Sequence, residues 1–429
     1  MDAVRAAAGP LRRDFAAGMH SRYNIAPSTR HFPHMQNSPV QRANAASGTG
    51  KLAGIDLLRF GSALAVLLWH YQHFSFVANQ AFAFQTEAQP LFGLLSLFYR
   101  YGLYGVQVFW CISGLIFFWK YGQALADKTV GAGRFFLLRF SRLYPLHLIT
   151  LLLVAGGQAL YASTHPWYFV YKDNSLSSFF LQLGMASHWF VPRTGFSFNA
   201  PIWSVSLEVI AYLFFFCFSR VAGVGAVATV GALAVLGVAR YVSELPVIEC
   251  LLFFYLGGVL ALLDRRSAGW SAVARHGLGV ALAVALMGLV AATAAGAIKP
   301  EHAIFGIVPV MVYLMLQYVR PAHEGVQKLF SSLGNLTYSS YLLHFPLQLV
   351  IALVCGALGR AIPWRSPWLL LGFLGMTFVL SFFCYRHVER PLQAWIRALG
   401  LPGALGFHQR EYLLRARHAL VGARNAGPQ

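Results

Sequence analysis

LGVALAVALMGLVAATAAGAI, residues Leu278–Ile298, carries no charged side chain anywhere along its length. Spanning the ~30 Å hydrocarbon layer of a bilayer takes roughly 20 helical residues, and in that layer only helices and closed barrels satisfy every backbone polar group. The apolar residues here are continuous rather than alternating, which predicts a helix. Similar blocks recur at Leu143–Tyr161, Ile202–Phe218, Val221–Val238, Val247–Leu263, Ala303–Tyr318 and Leu369–Cys384. Of the 429 residues, 57% are hydrophobic and 11% charged, against ~25% charged in soluble domains. Too few polar residues remain to cover a water-facing surface. The expected fold is an all-α polytopic integral membrane bundle of about ten transmembrane helices, near residues 58–77, 103–120, 143–161, 203–219, 221–239, 247–263, 277–297, 302–319, 335–358 and 367–385.

The net charge of +19 fits such a bundle without nucleic acid as a partner. With the N-terminus inside, 25 of the 33 Lys and Arg fall on the inner side, seven fall on the outer side, and Arg59 lies in the first span. The positive-inside rule then predicts both termini in the cytoplasm, and the basic inner face favours anionic lipid heads. Residues 1–51 have no periodicity and no apolar signal-peptide core, and are expected to form a disordered cytoplasmic extension with Met1 or Met35 as its start. Residues 52–395 form the membrane domain and 396–429 a basic cytoplasmic tail. The loop 162–202 carries Trp167, Tyr168, Tyr171 and Trp189, suited to the membrane interface or to stacking on sugar rings. Five cysteines at scattered spacing suggest packing residues rather than a disulfide framework, and no metal-ligand spacing occurs.

Charged groups inside spans are costly, which makes each a functional candidate. Arg59 and His70 are eleven residues apart; at 100° per residue they differ by about 20° and share one helix face, ~16 Å apart along the axis. Asp56, one turn before Arg59, can hold its guanidinium. A snorkelling arginine and a packing histidine would read the same way. Arg139 and Arg142 are i,i+3 neighbours at the entry of the third span, a phosphate clamp or a pair of topology anchors. Ser204, Glu208 and Tyr212 form a polar stripe after Pro201, and a carboxylate there is hard to explain by packing. The ninth span presents Thr337, Tyr338, Ser339, Ser340 and Tyr341 before a second buried histidine, His344.

In order, these elements are Ile55-Asp56 through Arg59 with His70; Gly105-Val106 through Phe109 with Ser113-Gly114; Arg139 and Arg142 before Pro145; Trp203-Ser204 through Glu208 and Tyr212; Gly334 through Tyr341, His344 and Pro346; and Glu389 with Pro391. Together they resemble the type 3 membrane acyltransferases, which modify bacterial glycans and some antibiotics, over roughly residues 51–395. Two positions depart from that pattern: Gln107, where an acidic residue is usual, and Leu115, where an aromatic one is. The fused esterase-like domain of some relatives is not expected. The resemblance implies a bacterial inner-membrane enzyme that takes an acyl group, usually acetyl, from cytoplasmic acyl-CoA. The acceptor it implies is a hydroxyl of an exported glycan or a lipid-linked sugar. Acyl-CoA, acetyl-CoA above all, is then a co-substrate, and no permanently bound cofactor is expected. His70 is the expected general base, with direct attack or a transient acyl-His both open. Arg59 and Glu208 are expected beside it; Arg59, Arg139, Arg142 and Ser113 on the donor; Trp203, Tyr341 and His344 along the substrate path. A transporter or flippase of an anionic glycan would also line a path with Arg and His, and a haem protein would use His70, His147 or His344.

Overall fold

The structure, a computed structural model, describes residues 39–77, 80–81, 84–189 and 195–400. Contacts divide the chain into Met1–Gly48 and Thr49–Gln429, and the fold described here is that of the second unit. Most of the expected N-terminal extension and the tail beyond Gly400 lie outside the described residues. The helices are α1 (Pro39–His70), α2 (Phe92–Tyr101), α3 (Gly105–Phe117), α4 (Gln123–Ala126), α5 (Ala132–Ala162), α6 (Leu176–Leu183) and α7 (Ile202–Ala222). They continue with α8 (Ala226–Val242), α9 (Pro246–Ser267), α10 (Ala272–Ala294), α11 (Pro300–Tyr318), α12 (Glu324–Ala357), α13 (Pro367–Cys384) and α14 (Arg390–Gly400). A two-residue ladder pairs Phe76 with Ala81 and Val77 with Gln80.

Among the described residues, nine helices are long and apolar enough to cross a membrane, and Ala226–Val242 is a shorter apolar one. The chain is an all-α, multi-pass membrane bundle. Several helices outrun the spans expected from hydropathy. α5 starts at Ala132 and α12 at Glu324, because an apolar run marks only the part of a helix that meets hydrocarbon. Leu94, Val227, Tyr241, Val273 and Trp368 are largely exposed, as lipid-facing residues must be.

The centre is a crossing of α3 and α9. A Cβ at Gly114 would lie 1.8 Å from the Phe254 carbonyl oxygen, and one at Gly257 would lie 2.0 Å from that of Cys111. Without a hydrophobic drive between helices in lipid, close backbone packing over small residues supplies the cohesion. Glycines also bring α3 onto α1: a Cβ at Gly102 would sit 2.1 Å from Ala65 O, and one at Gly105 2.6 Å from Ser62 O. Two π-helical turns interrupt the spans, Phe118–Gly122 after α3 and Tyr385–Glu389 after α13. Such turns re-aim side chains and recur at functional sites.

Candidate active site

Arg59 of α1, Ser113 of α3, Arg139 and Arg142 of α5, Ser204, Glu208 and Tyr212 of α7, and Tyr341 of α12 line one cavity of about 130 Å³. Asp56 holds Arg59 at 3.5 Å. Gly334 makes this possible, since a Cβ there would lie 2.7 Å from the Asp56 side chain. The Arg139 guanidinium is stacked, with Cζ 4.8 Å from the Phe117 ring centre and 4.9 Å from that of Tyr121, and Nη2 donates to the Tyr121 hydroxyl. Tyr121 belongs to the first π-turn. The hydroxyls of Ser113 and Tyr212 neighbour the Glu208 carboxylate, and the charges of Arg139 and Arg142 reach it. From the second π-turn, buried Glu389 accepts from Ser339 Oγ at 2.7 Å, within coulombic range of Arg142 and Arg59.

His70 lines a different cavity, of about 340 Å³, with His73, Gln107 and the aromatic rings of Trp69, Phe76, Tyr171, Phe196 and Trp203. His70 Nδ1 lies 2.9 Å from the Val66 carbonyl oxygen. A carbonyl only accepts, so Nδ1 carries the proton and Nε2 keeps its lone pair. Gln348 of α12 donates to the His70 carbonyl at 2.8 Å, and its amide oxygen lies 3.4 Å from His73 Nδ1. The ring centres of His73 and His344 lie 4.9 and 4.8 Å from that of His70. His344 is wholly buried behind His70 and lines neither cavity. His147, fully buried, bonds the Gln182 carbonyl at 2.7 Å and lines neither cavity. In the loop before α7, His188 packs on Phe196 and Trp203, and burial pushes its imidazole down to about 4. Among the described residues no group of three or more His, Cys, Asp or Glu is placed to hold a metal ion.

The two cavities meet at Tyr341. Its hydroxyl donates to Pro201 O at 2.9 Å and lies 2.7 Å from Ser204 Oγ. Tyr341 and Ser204 face the arginine cavity, whereas Pro201 and Trp203 face the histidine cavity. Arg59 and His70 lie on one helix, but the face expected from their spacing does not open into one cavity, because Gly102, in the turn before α3, and Gly105 of α3 press on α1 at Ala65 and Ser62 between them. Glu208, expected beside His70, stands on the arginine side instead; the His70 imidazole is held by the Val66 carbonyl, and Gln348 holds the His70 backbone. Of the aromatic residues in the 162–202 loop, Tyr171 is a cavity wall, while Trp167 and Trp189 are partly exposed. At Gln107, where the family pattern favours an acid, the side chain donates to Glu249 Oε1 at 2.9 Å, so a carboxylate arrives from α9. Sequence reasoning missed His73, Gln348, Tyr121 and Glu249. Only His73 carried a signal, one turn beyond His70.

A family model described as an acyltransferase domain matches residues 52–386, most of the chain and all of the elements that build both cavities. The chain belongs to this acyltransferase family. "Acyltransferase MdmB" of Streptomyces mycarofaciens is 29% identical over 166 residues. That match spans 38% of this chain and 38% of the relative. No solved structure matches the acyltransferase chain.

Proposed function

We propose that the protein is an O-acyltransferase that moves an acyl group, acetyl in the first instance, from cytoplasmic acyl-CoA to a hydroxyl of a glycan or lipid-linked sugar. The carrying observation is the meeting of two unlike cavities at one side-chain layer. Three guanidinium groups line the first, the chemistry that binds the phosphates of coenzyme A. Aromatic rings and imidazoles line the second, the chemistry that stacks a sugar ring and accepts a proton from its hydroxyl. The thioester arm extends past Ser113 and Phe109 to Tyr341. His70 Nε2 takes the proton of the acceptor hydroxyl as its oxygen attacks the thioester carbonyl. The tetrahedral intermediate collapses with cleavage of the carbon–sulfur bond, and the imidazolium returns its proton to the departing coenzyme A thiolate. A flippase would move its substrate without consuming acyl-CoA, and membership of an acyltransferase family favours transfer chemistry instead. The inner excess of Lys and Arg supports an orientation with both termini in the cytoplasm, and the membrane is, by the family resemblance, a bacterial inner membrane.

His70→Gln tests the reading, because the amide cannot take up a proton at neutral pH. Turnover is expected to fall about 10²-fold or more at unchanged acyl-CoA affinity. The measurement is glycan acylation in complemented cells, normalised to membrane-inserted protein. Near-normal acylation by this variant would remove His70 from the chemistry.

A further inference from the structure

α14 lies against α5. A Cβ at Gly400 would meet Leu137 Cδ2 at 2.3 Å, and Arg397 Nε donates to Ser141 Oγ at 3.1 Å. Ser141 sits between the two cavity-lining arginines of α5 in sequence, and its side chain is buried. The half-buried Arg397 guanidinium lies in coulombic range of Arg139 and Arg142. Among the described residues no carboxylate lies within ion-pair distance of it. Asp56, Glu208 and Glu389 attend the arginines of the cavity instead.

A third guanidinium held by a buried serine beside two others raises the like-charge repulsion of the folded protein. The Ser141 bond pins it there, where an unconstrained arginine on an amphipathic helix would turn to water. A polyanion relieves that repulsion. Coenzyme A carries two kinds of phosphate: a diphosphate next to the pantetheine arm, and a monophosphate on the ribose 3′-oxygen at the end farthest from the thioester. Arg59, Arg139 and Arg142 line the cavity, whereas Arg397 stands outside its lining, held to Ser141 on the helix that carries two of them.

We propose that Arg397 binds the ribose 3′-phosphate of the acyl-CoA donor, so that α14 forms the outer wall of the donor site and makes the enzyme selective for coenzyme A over its 3′-dephospho form. The inference rests on the acyl-CoA reading above. It gives the segment after the last span a task in substrate choice, where the sequence suggested only a basic tail.

The test compares dissociation constants for acetyl-CoA and 3′-dephospho-acetyl-CoA in the full-length protein, purified in detergent. The parent should prefer acetyl-CoA by about tenfold or more, the scale of one charge-assisted hydrogen bond. Arg397→Gln should abolish that preference while leaving the dephospho affinity unchanged, and Arg397→Lys should restore part of it. The dephospho donor thus serves as the control for folding. Equal loss for both donors in Arg397→Gln would mean that Arg397 only docks α14, and would overturn the inference. So would a parent that binds both donors equally, or a variant that keeps the parent's preference. A parent that binds neither donor would refute the acyl-CoA reading itself, and this inference with it.

Discussion

Replacing Arg139 tests the donor cavity most directly. Its side chain is already fixed, stacked at 4.8 and 4.9 Å on Phe117 and Tyr121 and bonded to the Tyr121 hydroxyl. Its Nε is buried with no hydrogen-bond partner among the described residues. A buried donor left unsatisfied costs about 1–3 kcal/mol, which a phosphate oxygen would recover. A charge-assisted hydrogen bond contributes about 1.5–3 kcal/mol, and tenfold in affinity is about 1.4 kcal/mol. Arg139→Ala should therefore weaken acetyl-CoA binding by about 10- to 150-fold. Arg139→Lys keeps the charge but loses the planar stacking and the fork, at about 1–2 kcal/mol, so binding should weaken by about 5- to 30-fold. Tyr121→Phe keeps both rings and loses one hydroxyl bond, at about 0.5–1.5 kcal/mol, or 2- to 13-fold. Calorimetric titration of acetyl-CoA into the detergent-purified protein reads all three. The reasoning fails if Arg139→Ala and Arg139→Lys both bind with the parent's dissociation constant, or if Tyr121→Phe is the most damaging of the three.

Two further outcomes are expected. Gln348→Leu leaves the buried His70 carbonyl without its 2.8 Å donor; turnover should fall about tenfold with unchanged acetyl-CoA affinity, measured by steady-state kinetics beside the binding titration. Reporter fusions after Gln123 and Arg266 should report cytoplasm, and those after Asn174 and Pro300 the outside; a cytoplasmic signal from Asn174 would break the proposed orientation.

The fold was legible because lipid imposes one rule on every span. Leu278–Ile298 has no reading but a helix in hydrocarbon, and α10 is that helix. Helix ends were less legible. Arg134, Arg139 and Arg142 interrupt the apolar run before Leu143, yet the residues from Ala132 belong to α5. In the site, the spacing within one helix carried real information: Arg139 with Arg142, and Ser204 with Glu208 and Tyr212, each line one cavity as their periodicity predicts. The separation of Arg59 from His70 was not legible, since it depends on Gly102 and Gly105 placing α3 across α1. Gln348 and Glu249 were invisible for the same reason. Each acts on a residue more than a hundred positions away, and nothing in its own neighbourhood announces the partner.

The backbone contacts of α3 with α9 have a mechanical consequence. Two helices that touch carbonyl to Cα at Gly114 and Gly257 can neither slide nor rotate past each other without collision, so this pair serves as a stator. Passage of an acyl arm between the cavities then calls for motion on the opposite side. There α5 and α12 carry Pro145 and Pro346 within their spans, each removing a backbone hydrogen bond and leaving a hinge. Tyr341 rides on α12 within two turns of its hinge, so a small swing of that half-helix would lift the ring from Ser204 while the glycine-locked wall stands still.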